Sequence, residues 1–164
     1  MAIRTILTKG DPALNKMCHP VTKFDQKLWD DLKETLAKAN GLGLAAPQVG
    51  ILRRAVIVVN DDGEMLELVN PEIVDQKGEQ DGLEGCLSVP GLWGYVKRPA
   101  WVKVKAQDRD GNWFEVEGQE LTARCFCHEL SHLDGHLYTE LTDKLYTNED
   151  LDQMMSEEEQ EERG

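Results

Sequence analysis

The segment best equipped for chemistry is His128-Glu-Leu-Ser-His132, an H-E-x-x-H motif on a predicted helix. Residues four apart on a helix leave the same face one turn apart. The imidazoles of His128 and His132 can therefore share one divalent cation, with Glu129 in reach of a water beside it. Three fixed residues in five positions also recur by chance, and the bland alternative is a half-buried, hydrogen-bonded histidine pair. The setting favours the metal. The motif sits mid-helix on the most apolar stripe of the C-terminal half, where two histidines and a glutamate are costly to bury unpaired.

A catalytic metal centre needs a third protein ligand and an open position for water. Downstream, the longer pattern H-E-x-x-H-x-x-G-x-x-H is met at Gly135, but Tyr138 occupies the third histidine position and His136 is off register. Upstream, Cys86 lies in Glu84-Gly-Cys-Leu-Ser88. Its thiolate is a strong ligand for iron or zinc, and the neighbouring glycine frees the backbone to approach a helix. Cys18, Cys125 and Cys127 form no C-x-x-C pair and read as buried thiols, although Cys125 is near enough to His128 in the chain to compete.

These residues must be held by the elements around them. An apolar stripe of Phe24, Leu28, Leu32, Leu36 and Ala39, closed by Asn40-Gly41, predicts a helix over 24–39. A second helix is predicted over 119–133, with Leu121, Cys125, His128 and His132 on one stripe. Ala55–Val59 reads as a buried strand, and short strands are expected at 66–69 and 72–74. Residues 78–94, with five glycines and a proline, read as loop and irregular strand. Val102, Val104 and Ala106 alternate with polar residues, and Asp110-Gly111 turns the chain into a further strand at 113–116, making a β-hairpin.

The fold class expected is α+β, with short, mostly antiparallel strands packed around a central helix bearing the H-E-x-x-H motif. Residues 1–147 form the predicted catalytic domain, and 148–164 an acidic, disordered tail.

Of the net charge of −13, residues 140–164 carry −8 and residues 1–139 carry −5. That acidity opposes attraction to nucleic acid, so no direct nucleic-acid recognition is expected. No apolar run is long enough to cross a bilayer, and the first ten residues lack the apolar core of a secretory signal. The expected location is the cytoplasm, with no membrane partner.

With three motifs in order, the chain resembles the peptide deformylase family over residues 2–146. The family's G-x-G-L-A-A-x-Q stands here as Gly41-Leu-Gly-Leu-Ala-Ala-Pro-Gln48, its E-G-C-L-S as Glu84–Ser88, and its H-E-x-D-H as His128–His132. The resemblance implies Cys86, His128 and His132 as metal ligands, with water in the fourth position. It implies Glu129 as general acid–base, and the Gln48 side-chain amide and Leu87 N–H as oxyanion donors. It also implies backbone contact of Gly43 with substrate.

Leu42, Leu121 and Cys125 read equally as core or as walls of a methionine pocket. Arg124 edges that region, and Trp93 and Tyr95 either cover the site or pack. The cofactor implied is one divalent ion, Fe(II) favoured over Zn(II), Ni(II) or Co(II). The implied substrates are N-formylmethionyl nascent peptides at the ribosome, with formate released.

The chain departs from the family at Ser131, where an aspartate is usual. The substitution bears on a charge contact that would steady the helix, with a base such as Lys105. Two other functions compete: a small zincin-like metallopeptidase, and a catalytically silent metal- or peptide-binding module. The position of the third ligand separates the first of these from the deformylase.

Overall fold

The structure, a computed structural model, describes residues 2–163. Helix α1 (Gln26–Ala39) begins two residues later than predicted, because Asp25 caps it by accepting from the Lys27 amide at 2.9 Å. Asn40 ends it in the left-handed conformation, at φ 55°. Its apolar stripe buries Trp29, Leu32 and Leu36.

Five strands form the main sheet: β1 (Gly43–Ala45), β2 (Ala55–Val59), β3 (Met65–Lys77), β6 (Trp101–Gln107) and β7 (Trp113–Gln119). They lie in the order β1-β2-β3-β6-β7, every neighbour antiparallel. Helix α1 covers one face, against Ala55, Ile57 and Val69. Helix α2 (Leu121–Leu133) covers the other, its Ala123, Phe126, Leu130 and Leu133 packing on Val56, Val58, Leu68, Val102 and Val104. Strand β2 is thus buried on both faces, which is why it reads as an unbroken apolar run. The two strands expected at 66–69 and 72–74 are one. Asn70, at φ 49°, and Pro71 interrupt its register, which made it look like two.

Residues 78–94 differ more sharply from expectation. From Gln80 onward they form a hairpin, β4 (Gln80–Cys86) and β5 (Val89–Arg98), joined by Leu87-Ser88 and irregular only where its register shifts between Glu84 and Cys86. Three of its glycines, Gly82, Gly85 and Gly94, mark close approach, whereas Gly91, at φ 77°, has open space beside it. A Cβ at Gly82 would lie 3.1 Å from the Arg124 guanidinium, and one at Gly94 would lie 2.7 Å from Thr142. The ring of Trp93 lies across Gly85. Strand β8 (Tyr146–Thr147) pairs with β5 to complete a three-stranded sheet, β4-β5-β8.

Residues 148–163, read from the sequence as a disordered tail, form helix α3 (Asn148–Arg163). A reciprocal cap starts it: the Thr147 amide donates to Asp150 Oδ2 at 2.9 Å, and the Asp150 amide donates to Thr147 Oγ at 3.1 Å. Thr147-x-x-Asp150 is a capping box, a signal present in the sequence but outweighed there by composition. Glu149 and Asp150 also oppose the helix dipole favourably.

Candidate metal centre and active site

Helix α2 presents its polar side to the β4–β5 hairpin, and the three sequence-predicted ligands meet there. Their ligand atoms, from Cys86, His128 and His132, all lie within 4.8 Å of one another. Cys86 Sγ and His132 Nε2 are 3.4 Å apart. One soft anion and two imidazoles at this spacing suit a single ion held at about 2.0–2.3 Å from each.

The downstream alternatives are excluded by position. The ring of Tyr138 stacks on that of His128 with centroids 5.9 Å apart, and His136 is exposed and hydrogen-bonded to Glu140. Cys125 and Cys127 are not in the ligand cluster, and burial raises both thiols, Cys125 to about 12.

Glu129 is 2% exposed, with Oε1 3.8 Å from His128 Nε2 and 3.9 Å from His132 Nε2. Its Oε2 has no hydrogen-bond partner among the described residues. Burial is the main reason its pKa rises to about 7, partly offset by His128. Gly43 makes room for it: a Cβ there would lie 2.6 Å from Glu129 Oε2.

Gln48, 1% exposed, is held at both ends. Its Oε1 accepts from the Ala45 amide at 2.8 Å, and its Nε2 donates to Ser88 Oγ at 3.0 Å and faces Cys86 Sγ at 3.6 Å. The Ala45 N–H can only donate, so the carboxamide orientation is fixed and its NH2 points toward the ligand cluster.

The most important group without a role assigned from the sequence is Glu84. Its buried carboxylate accepts from Arg98 Nε at 2.7 Å, Arg98 Nη2 at 2.8 Å and Arg124 Nη1 at 2.7 Å, and pairs with His128 Nδ1 at 2.8 Å. Burial opposes its charge, but the bonds to Arg98 and His128 prevail and hold it down to about 2. Glu84 thereby fixes the His128 ring with Nε2 toward Cys86, the usual way a carboxylate orients a ligating histidine.

Burial also opposes charge on His128, but Cys86 and Glu84 outweigh it and raise the ring to about 10; a cation at the cluster would displace that proton. His132 is pushed well down, by burial first. Arg124, unexplained from the sequence, sits one turn before His128 and also donates to the Val96 carbonyl at 2.8 Å. The readable signal was an arginine on the buried stripe of a helix, which demands a carboxylate partner.

Ser131 does not reach Lys105. Its Oγ donates to the Cys127 carbonyl at 2.8 Å, and Lys105 lies over the Trp113 ring.

A cavity of about 430 Å³ opens beside the cluster. Gly43, Gln48, Cys86, Leu87, His128 and Glu129 line it, and so do Leu42, Leu121, Cys125, Arg124 and Trp93. Leu42 and Leu121 are 49% and 51% exposed, so they are wall and rim rather than core. Tyr95 does not line the cavity; its ring meets that of Tyr146 edge-on.

A soft three-donor cluster, a buried carboxylate beside it and an adjoining cleft together define a metal-dependent hydrolase. The family model for polypeptide deformylase matches residues 3–148, and the chain belongs to that family. It is 55% identical over 143 residues to the peptide deformylase of Agathobacter rectalis, covering 85% of this chain and 90% of that one. The peptide deformylase of Caldicellulosiruptor bescii is 50% identical, with 95% of each chain covered.

Among solved structures, a peptide deformylase from Legionella pneumophila superposes with a TM-score of 0.82 at 41% identity, over 96% of this chain and 92% of that one. The Ehrlichia chaffeensis peptide deformylase in complex with actinonin gives 0.83 at 34% identity over the full length of both. The family assignment carries the deformylase reading and removes the zincin-like alternative. Among the described residues, no helix is long and apolar enough to cross a membrane.

Proposed function

We propose that the protein hydrolyses the formamide of N-formylmethionyl nascent peptides in the cytoplasm, as they leave the ribosome, giving formate and a free amino terminus. The observation that carries this reading is the buried Glu129 carboxylate, under 4 Å from both histidine Nε2 atoms at the edge of the cavity. Cys86, His128 and His132 would hold the ion, with Fe(II) favoured and Zn(II), Ni(II) or Co(II) able to fit the same donors. When bound, the ion supplies Lewis acidity that polarises the formyl oxygen and brings the pKa of water to about 7.

Glu129 accepts the proton of the attacking water and returns it to the leaving amine. Addition to the formyl carbon places negative charge on oxygen. The oriented Gln48 NH2 and the Leu87 N–H donate to that oxygen, each such donor being worth about 100–1,000-fold in rate. The backbone of Gly43 holds the substrate main chain. Leu42, Leu121 and Cys125 enclose the methionine side chain, with apolar walls set among a few fixed polar groups.

Anaerobic purification, metal analysis and formate assay test the reading. Formyl-Met-Ala-Ser should release formate, and its acetyl counterpart should be a poor substrate because the added methyl must fit beside the ligand cluster. Cys86→Ala should lose metal and turnover together, whereas Cys125→Ala and Cys127→Ala should keep their metal. Equal turnover of both acyl caps, or a full complement of metal in Cys86→Ala, would overturn it.

A further inference from the structure

His128 and His132 are held unequally. Nδ1 of His128 is tied to Glu84 at 2.8 Å, whereas His132 Nδ1 is buried and has no hydrogen-bond partner among the described residues. A ligating histidine is usually oriented through its second nitrogen, and His132 lacks that restraint. For His128, a single hydrogen bond at Nδ1 still lets the ring tilt. A metal ion tolerates only about 0.2 Å of error in each ligand distance, so both ring planes need a further support.

That support is a stack of three rings. The imidazoles of His128 and His132 meet edge to face, with centroids 5.1 Å apart and planes at 72°. The Tyr138 ring stacks on His128 with centroids 5.9 Å apart and planes at 28°. Both separations lie where aromatic rings attract one another, about 4.5–7 Å. Tilting either imidazole therefore costs contact with its neighbour, and Tyr138 is the one member of the stack that is not a ligand.

Tyr138 is itself firmly placed. It is 2% exposed and packs with Leu14, Val89, Val96 and Leu137 in a cluster that also meets Cys86. Its hydroxyl donates to the Leu92 carbonyl on β5 at 2.9 Å, which anchors the tip of the ring as well as its faces. The chain reverses directly after α2 to bring it there. Gly135 adopts φ 81°, and its amide donates to the His132 carbonyl at 3.1 Å. Tyr138 thus stands where H-E-x-x-H-x-x-G-x-x-H has its third histidine, and serves the site from that position without ligating.

We propose that Tyr138 is a positioning residue of the metal centre: its ring holds the plane of His128 and, through His128, that of His132. The inference rests on the ligand set Cys86, His128 and His132 given above and deepens it.

The test measures zinc affinity by competition with a chromophoric chelator, and records the visible d–d bands of the cobalt-loaded protein, which report ligand geometry. Tyr138→Leu and Tyr138→Met keep the position apolar but remove the flat face. Each should weaken zinc about tenfold, the lower end of the range for losing an outer partner of a ligand, and should shift the cobalt bands. Tyr138→Phe keeps the face and loses one neutral hydrogen bond, so zinc should bind within about threefold of wild type and the bands should stay in place. Leu32→Ala opens a cavity in the core under α1, away from the stack. It should lower the urea midpoint while leaving zinc affinity and the cobalt bands unchanged.

If Tyr138→Leu and Tyr138→Met, whichever of them folds, hold zinc as tightly as the wild type with unshifted bands, the inference is overturned. It is equally overturned if Tyr138→Phe weakens zinc as much as they do, since the flat face would then not be the active part. The same holds if Leu32→Ala does so, since the effect would then be general loosening. A wild type that takes up neither zinc nor cobalt would overturn the ligand set and the inference with it.

Discussion

Helices α2 and α3 have 13 and 16 residues and treat charge in opposite ways. Helix α2 buries Arg124, Glu129 and His132 and half-buries His128, and two of these are tied to Glu84 on β4. Helix α3 has eight acidic residues; among its described side chains only Leu151 and Met154 are half-buried, and the described charges face water. A buried charge must find a partner or shift its pKa, so α2 is constrained residue by residue. An exposed charge is hydrated and screened, so α3 is constrained only where it is capped and where Asn148 accepts from the Trp93 indole. Function has gathered where charge is expensive.

The sharpest break of this contrast is Glu129→Gln. The amide is close to isosteric and leaves the three ligands in place, but cannot take a proton from water. Metal content should stay at the wild-type level while kcat falls about 100–10,000-fold. Near-normal turnover would make Glu129 a structural residue and remove the functional side of the comparison.

Glu84→Gln probes the buried network itself. Removing the carboxylate leaves the Arg98 and Arg124 guanidiniums buried without a counter-charge, and breaking such a network typically costs about 3–5 kcal/mol. Urea unfolding should show that loss, and metal affinity should fall as His128 loses its orienting partner. In the wild type the folded-state pKa of Glu84 is depressed to about 2. Its contribution to stability is therefore complete above its unfolded value, about 4.3, and is lost as pH falls through about 2. A variant that matched the wild type in urea at both pH 7 and pH 3 would show the network to be energetically neutral.

The smallest effect belongs to α3. Glu158→Lys and Glu161→Lys change four units of charge together on its exposed end, yet each should shift stability by no more than about 0.5 kcal/mol. Formate release from formyl-Met-Ala-Ser should stay at the wild-type rate. A large loss in either measurement would mean that the outer part of α3 packs on something the contrast overlooks.

Much of the site was legible as types and spacings. H-E-x-x-H on a helix stripe and a glycine-flanked cysteine identify themselves because ligand chemistry restricts residue type and the helical repeat restricts spacing, whereas Gln48 stood out only through the family resemblance. The two packed helices and the β6–β7 hairpin were equally plain, since burial on one face leaves a period in the sequence. What only the tertiary structure decided lies between elements distant in the chain. Glu84, Arg98 and Arg124 come from two strands and a helix, and no local pattern pairs them.

The β4–β5 hairpin was hidden for a related reason. Gly82, Gly85 and Gly94 read as loop until Arg124, Trp93 and Thr142 are seen filling the space their missing side chains leave. In α3, composition argued for disorder, while a two-bond cap and the docking of β8 on β5 settled the start of a helix. Periodicity and ligand chemistry are properties of single segments, and the sequence by itself determined them here. The pairing of buried charges and the filling of glycine gaps are properties of segments brought together, and those the fold alone decided.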